Sequence, residues 1–258
     1  MHFTVVIPAR YASTRLPGKP LMEIAGKPMI QHVHANAQAS GAAEVIIATD
    51  DERIREAAVG FGAKVCMTSP DHTSGTERIA EVVEVFWLNS QRIVVNVQAD
   101  EPLLPPGLIQ QVAMNLFHRP NADVATLCER ITDGETLFES AAVKVVMDKD
   151  GFALYFSRAP IPWDRDYFTY HPNSLLPDSD YSVGYYRHIG IYAYRASFLS
   201  QYVAFPRCAL EKTESLEQLR VLYQGGKIHV AEAQEPPGVG VDTPADLMRV
   251  QRAMTDMG

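Results

Sequence analysis

FTVVIPARYASTRLPGKP, residues 3–20, runs from an apolar stretch straight into a loop that carries Arg10, Arg15 and Lys19. The stretch Phe3-Thr4-Val5-Val6-Ile7 is rich in β-branched side chains and reads as a strand, with Pro8 marking its end. Gly18-Lys19 invites comparison with a Walker A loop, which needs G-x-x-x-x-G-K-[ST]. That match fails at both ends, because Ser13 stands where the upstream glycine belongs and Pro20 follows the lysine. What remains is a cation-rich loop at the carboxyl end of a strand, where α/β sheets bind their ligands. Guanidiniums grip phosphate oxygens bidentately and lysine adds a mobile point charge, with the Ser13 and Thr14 hydroxyls alongside. A solvated loop whose charges cluster by chance is the alternative. Position and density favour phosphate.

Working outward, short β-rich runs alternate with amphipathic stretches. Strands are expected at Phe3–Ile7, Glu44–Ala48, Lys64–Met67, Arg92–Val97 and Asp123–Cys128. Helices are expected at Pro28–Ala39, Asp51–Phe61, Gly75–Leu88 and Pro105–Phe117. Val45-Ile46-Ile47-Ala48 and Ile93-Val94-Val95 are continuous apolar runs, as parallel strands covered on both faces require. The expected fold is therefore α/β, one domain built on a doubly wound, mostly parallel sheet. Beyond about residue 140 the rhythm changes. Asp148-Lys149-Asp150-Gly151 between Ala142–Met147 and Ala153–Phe156 signals a hairpin. A Pro-, Asp-, Ser- and Tyr-rich stretch follows from Arg158 to Tyr185. Then come a strand around His188–Tyr194, a helix around Thr213–Tyr223, a strand at Lys227–Ala231 and a last helix from Pro244. The second half thus reads as a β-rich insertion in the same domain.

The 258 residues are 47% hydrophobic and 21% charged, with a formal net charge of −8. An acidic chain of this kind speaks against nucleic-acid binding. Cys66, Cys128 and Cys208 are odd in number and form no C-x-x-C, which argues against a disulfide framework or a structural zinc site. No run approaches the length of a membrane span, and the N-terminus carries no signal-peptide pattern, so a cytoplasmic protein is expected.

Two carboxylates stand at expected ligand-facing ends. Asp100 follows the apolar run Ile93–Val97, and Asp242 precedes Thr243-Pro244 at a helix start. Magnesium takes a few protein carboxylates plus water and phosphate oxygens, although Asp242 alone also reads as a helix cap. Ser74-Gly75-Thr76-Glu77-Arg78 opens a helix in capping-box style. His32 and His34 lie two residues apart on a helix and point away from each other, so they are not a ligand pair. No Ser-His-Asp or Cys-His constellation supports covalent acyl chemistry.

Pro8 to Leu21 resembles the signature loop of the CMP-sugar synthetases. Further segments match that family in the same order: His72–Arg78, Asn96–Pro102, Tyr155–Pro162, His188–Tyr192, Glu214–Arg220 and Gly240–Pro244. They cover nearly the whole chain and are similar to the branch that activates 3-deoxy-manno-octulosonate (KDO), an acidic eight-carbon sugar. The resemblance implies a nucleotide-diphospho-sugar transferase fold, with residues 1–140 as the nucleotide-binding half and 141–258 as the sugar-binding and dimerisation half. It implies conversion of CTP and KDO to CMP-KDO and pyrophosphate for lipopolysaccharide biosynthesis, with Mg²⁺ as cofactor, by a homodimer. For CTP it implies Ala9, Arg10, Ser13, Thr14, Arg15, Lys19, Ser74, Gly75 and Asp100. It further implies Lys19, Arg10, Arg15 and Asp100 as the catalytic set, and Asp100 and Asp242 as holding the metal. For the sugar it implies Arg78, Gln98, Arg158, His188, Tyr192, Glu217 and Gln218. Two departures from the family pattern are visible: Ala99 replaces a usual glycine, and Glu77 a usual aspartate. The alternatives are a cytidylyltransferase for another acidic sugar such as sialic acid, a nucleotide-sugar glycosyltransferase, and a nucleotide sensor. A glycosyltransferase would carry Asp-x-Asp where this chain has Gln98-Ala99-Asp100, and a sensor would lack the aspartate pair.

Overall fold

Val5 and Val6 are both fully buried although they point to opposite faces of one strand. That double burial fixes the architecture, because it demands cover on each side of the sheet. The computed structural model describes residues 1–12, 16–165, 168 and 184–256. Ser13, Thr14, Arg15 and most of the stretch from Arg158 to Tyr185 lie outside the described residues.

In chain order the strands are β1 (Phe3–Ala9), β2 (Glu23–Ile24), β3 (Lys27–Pro28), β4 (Glu44–Thr49), β5 (Lys64–Met67), β6 (Ile93–Asn96), β7 (Val124–Arg130), β8 (Lys144–Met147), β9 (Ala153–Ser157), β10 (Tyr186–Arg195) and β11 (Ile228–Glu232). Among the described residues one large sheet runs β11-β7-β10-β6-β1-β4-β5, with β8 on β10 and β9 on β8. β1 lies parallel between β4 and β6, with Val5 opposite Val45 on one side and Val95 on the other. Val5, Ile7, Ile47 and Val95 face helices Met29–Ala39 and Pro106–Phe117. Val6, Ile46 and Val94 face helices Gly75–Val85 and Ala196–Ala204. The first-half strands and helices thus form where the sequence puts them, within one or two residues for most boundaries.

β10 is the exception that shapes the functional edge. It runs antiparallel to both β6 and β7, pairing Tyr192 with Asn96 and His188 with Cys128. Its N-terminal end therefore rises beside the carboxyl ends of β6 and β7, and brings Arg187 and His188 there. The register slips between Ile189 and Tyr192. The Thr126 hydroxyl fills that bulge, bonding the carbonyl oxygens of Ile189 (3.1 Å) and Ile191 (2.7 Å). Bulges of this kind re-aim side chains near sites.

The single helix expected over Thr213–Tyr223 is instead two, Ala209–Glu214 and Gln218–Tyr223. Ser215 takes a left-handed conformation (φ +53°) and stops the first. A buried ion pair ties the two together: Arg220 donates to Glu211 at 2.6 and 2.8 Å, with both residues at most 3% exposed. Arg220→Met would leave that buried carboxylate with only the exposed Arg207 at 3.2 Å, an expected loss of about 2–4 kcal/mol. The readout is the urea midpoint at unchanged slope, and a loss below about 1 kcal/mol would contradict it.

Candidate active site

The opening loop is shaped by packing before any ligand arrives. The Tyr11 carbonyl accepts the Gly18 N–H at 2.9 Å, and Gly18 has φ +72°, a conformation that costs glycine little. A Cβ there would lie 3.0 Å from the Tyr11 ring. The Arg53 guanidinium sits over that ring, 3.3 Å from its centroid, while holding Asp51. Arg10 donates to the carbonyl of His72, whose imidazole meets Glu81. The loop after β1 is thereby tied to the loop before helix Gly75–Val85.

Lys19 holds the floor. Its ammonium donates to Asp100 Oδ2 at 2.6 Å and to the Val241 carbonyl at 2.8 Å, and it lies 3.4 Å from Asp242 Oδ1. Three distant segments meet on one cation. Asp100 arrives by following β6. Asp242 arrives because the Val241 N–H donates to the Asp100 carbonyl at 2.8 Å. The capping role that the sequence offers Asp242 is taken by Thr243, whose hydroxyl accepts the Asp246 N–H while Asp246 accepts the Thr243 N–H. Two carboxylates converging on one ammonium, beside an open cleft, are a donor set that suits a hard divalent cation completed by water and phosphate oxygens.

Behind this pair stands Glu101, which the sequence reading passed over. Burial first, and then the Asp100 and Asp242 carboxylates, push its carboxyl up to about 7, against the pull of Arg187 and Lys19. A carboxyl raised in the folded chain keeps its proton between its ordinary 4.5 and about 7. Its contribution to stability is full below the ordinary value and is lost as pH rises through the folded one. Glu101→Gln removes that loss. Its stability relative to the parent is expected to rise by about 1–3 kcal/mol between about pH 5 and about pH 8 in metal-free buffer. Urea unfolding at the two pH values checks this, and a pH-independent difference would contradict it.

The turn before helix Gly75–Val85 is a full capping box. The Ser74 hydroxyl accepts the Glu77 N–H at 3.2 Å and the Glu77 carboxylate accepts the Thr73 N–H at 2.6 Å. Gly75 packs against Pro8, whose Cγ would lie 3.3 Å from an added Cβ. A cleft of about 390 Å³ opens here, lined by Arg10, Lys19, Ser74, Gly75, Gln98 and Asp100 among others. Ala99, in place of the family's glycine, also lines it. Ala9 is buried in the sheet at 1% exposure and offers the cleft no side chain.

Arg78, which the resemblance assigns to the sugar, lies beneath this cleft. It is fully buried, bonding the Thr68 hydroxyl and pairing with Asp50 at 3.3 Å. It sits on the inward face of its helix beside Ile79 and Val82, so it reaches back to the carboxyl ends of β4 and β5. It braces the cleft from beneath and does not line it.

Of the second-half residues, Glu217 comes nearest the nucleotide turn. It accepts from Thr76 Oγ1 at 2.8 Å and lies 3.4 Å from the Tyr202 hydroxyl; burial pushes its carboxyl up. Gln218, next in sequence, is buried, as is Tyr192 on β10, which stacks on Tyr194. His188 contacts the edge of Phe156 and meets Thr126 Oγ1 at 3.0 Å. Burial, followed by the Arg187 charge, pushes it down to about 3, so it is a neutral hydrogen-bonding group. Arg158 is bound by its Nε to the Glu214 carbonyl and by its Nη1 to the Ser140 carbonyl. None of these five lines the nucleotide cleft itself.

The sequence profile of the cytidylyltransferase family matches residues 4–228. A 3-deoxy-manno-octulosonate cytidylyltransferase from Hahella chejuensis is 58% identical over 252 residues, covering 98% of this chain and 97% of its own. One from Marinobacter nauticus is 57% identical over 258 residues, covering 100% and 98%. Among solved structures, a CMP:2-keto-3-deoxy-manno-octonic acid synthetase complexed with CTP superposes with TM-score 0.89 at 42% identity, covering all of both chains. A nucleotidyl transferase from Methanothermobacter thermautotrophicus, 14% identical with TM-score 0.61 over 100% and 99% of the two chains, shares the fold.

Proposed function

The chain belongs to the cytidylyltransferase family, and from that premise we infer that it makes CMP-KDO and pyrophosphate from CTP and KDO. The observation that carries the reading is the meeting of Lys19, Asp100 and Asp242 at the floor of a cleft bounded by Arg10 and the Ser74-Gly75 turn. Full-length similarity to enzymes of that name supports the choice of sugar.

The anomeric hydroxyl of KDO attacks the α-phosphorus of CTP; a new P–O bond forms as the bond to the β-phosphate breaks, and pyrophosphate leaves with the electron pair. Little covalent chemistry falls to the protein, so positioning and charge neutralisation dominate. Arg10 and Lys19, with Arg15, neutralise the triphosphate, and Lys19 meets charge developing at the α-phosphate and leaving group. The Ser74-Gly75 turn allows close approach of the nucleotide, and Gln98 beside it hydrogen-bonds the sugar. Arg158 offers the sugar carboxylate its cation, while neutral His188, Tyr192, Glu217 and Gln218 read hydroxyls. Asp100 and Asp242 fit Mg²⁺, which when bound neutralises phosphate charge and acidifies the attacking hydroxyl.

In this reading the product feeds lipopolysaccharide biosynthesis in the cytoplasm, and the enzyme is a homodimer. Among the described residues no helix is long and apolar enough to cross a membrane. Among the described residues β9 pairs only with β8 and leaves Leu154 62% exposed, which supports assembly through the second half. Pyrophosphate release from CTP and Mg²⁺ tests the substrate, with KDO and sialic acid as parallel acceptors. Release with KDO is expected; release with sialic acid alone would reassign the sugar.

A further inference from the structure

Glu214 ends helix Ala209–Glu214, directly before the left-handed Ser215, and its carboxylate works across the fold. Oε1 accepts the Ser157 hydroxyl at 2.6 Å and Oε2 accepts the Arg158 backbone N–H at 2.9 Å. The end of β9 is thereby clamped to the end of this helix. The clamp puts the Glu214 carbonyl 2.7 Å from Arg158 Nε. On its other side the same guanidinium donates through Nη1 to the Ser140 carbonyl at 3.0 Å.

The Ser140 carbonyl is itself held in place. Lys144 is fully buried in β8, paired in register with Ser157, and its ammonium donates to the carbonyls of Glu139 (2.7 Å) and Ala142 (2.5 Å). These two carbonyls bracket Ser140. Arg158 is therefore gripped by two fixed main-chain acceptors, one set by Glu214 and one by Lys144. Among the described residues its Nη2 has no hydrogen-bond partner. Arginine held by two nitrogens with the third open is preorganised for a carboxylate, since the rotamer cost is met before binding.

The same short segment reaches the nucleotide turn. Three residues beyond Glu214, Glu217 accepts from Thr76 of the helix that Ser74 caps. The stretch from Glu214 to Gln218 is a strap with Arg158 at one end and the nucleotide turn at the other.

We propose that Glu214 is a positioning residue for sugar recognition, locking Arg158 so that its open nitrogen meets the acceptor carboxylate. The proposal rests on the reading of Arg158 as the cation for that carboxylate. Glu214 makes no contact with substrate; it acts through Ser157 and Arg158.

The test is steady-state kinetics with CTP and KDO for Glu214→Ala, Glu214→Gln, Arg158→Ala and the Glu214→Ala/Arg158→Ala pair. Glu214→Ala is expected to raise KM for KDO about tenfold or more, with KM for CTP within about twofold. Glu214→Gln keeps one acceptor oxygen and should fall between it and the parent. In the double variant the Glu214 change should add little, because its effect passes through Arg158. If Glu214→Ala fails to fold, Ser157→Ala, which removes the hydroxyl half of the clamp together with the bond from the Ala159 N–H, carries the same KM split at smaller size. Equal rises for both substrates, or full additivity with Arg158→Ala, would overturn the proposal by making Glu214 merely structural. Unchanged KM for KDO in Arg158→Ala would overturn the reading beneath it, a separately visible result.

Discussion

Asp100→Asn is expected to lower kcat by about a thousandfold or more while the protein stays folded. The asparagine keeps the size of the side chain and an oxygen able to accept from Lys19, so the 2.6 Å contact has a neutral substitute. The backbone bond from Val241 N–H to the residue 100 carbonyl is untouched, and with it the approach of Asp242. What disappears is one of the two negative charges at the floor. A thousandfold corresponds to about 4 kcal/mol of transition-state stabilisation, the scale on which preorganised charge acts in such sites. Rate and melting temperature measured together check the claim. A near-parental rate would remove Asp100 from the chemistry, and a collapsed melt would make its role structural.

Lys19→Met is expected to lower kcat about a hundredfold to a thousandfold, with KM for CTP nearly unchanged. The Lys19 side chain is 12% exposed, and its ammonium is held by a carboxylate, a carbonyl and a second carboxylate. It is therefore fixed before substrate arrives and requires little reorganisation as charge builds on the phosphates. Methionine preserves the aliphatic stem and removes the charge alone. A pure KM effect would mean that Lys19 binds ground and transition states equally. A second readout follows from geometry. The ammonium lies within 3.4 Å of both carboxylates, so its removal should tighten Mn²⁺ binding to the nucleotide-free protein by about tenfold or more, since a monovalent and a divalent cation about 4 Å apart repel by about 2 kcal/mol even at the dielectric of water. Unchanged Mn²⁺ affinity would show that ammonium and metal ion do not compete for Asp100 and Asp242.

Much of this floor was legible in the sequence because parallel strands announce their own carboxyl ends. Apolar runs at Val5–Ile7, Val45–Ala48 and Ile93–Val95 set three strands side by side, and the loops after the first and third carry Lys19 and Asp100. The Ser74 cap was equally plain, since capping is a local matter of four residues. Direction was not legible for β10. Periodicity reports which faces are buried and says nothing about which neighbour a strand pairs with, so its antiparallel course emerged only in three dimensions. The burial of Arg78 was not legible for a related reason. A charged residue at a helix start reads as exposed, and its burial depends on Asp50 and Thr68, two strands away. The break at Ser215 has no glycine to mark it. Glu101 and Glu214 sat inside matched segments without a role, because what they do depends on partners distant in the chain.

The central claim is direct transfer of the CMP group from CTP to KDO, and ³¹P NMR of the reacting mixture tests it most directly. With protein, CTP, Mg²⁺ and KDO, the triphosphate signals should give way to one phosphodiester signal and pyrophosphate in equal amounts. Omitting KDO should leave CTP intact. Persistence of the triphosphate with KDO present, or loss of it to free CMP without KDO, would contradict the account.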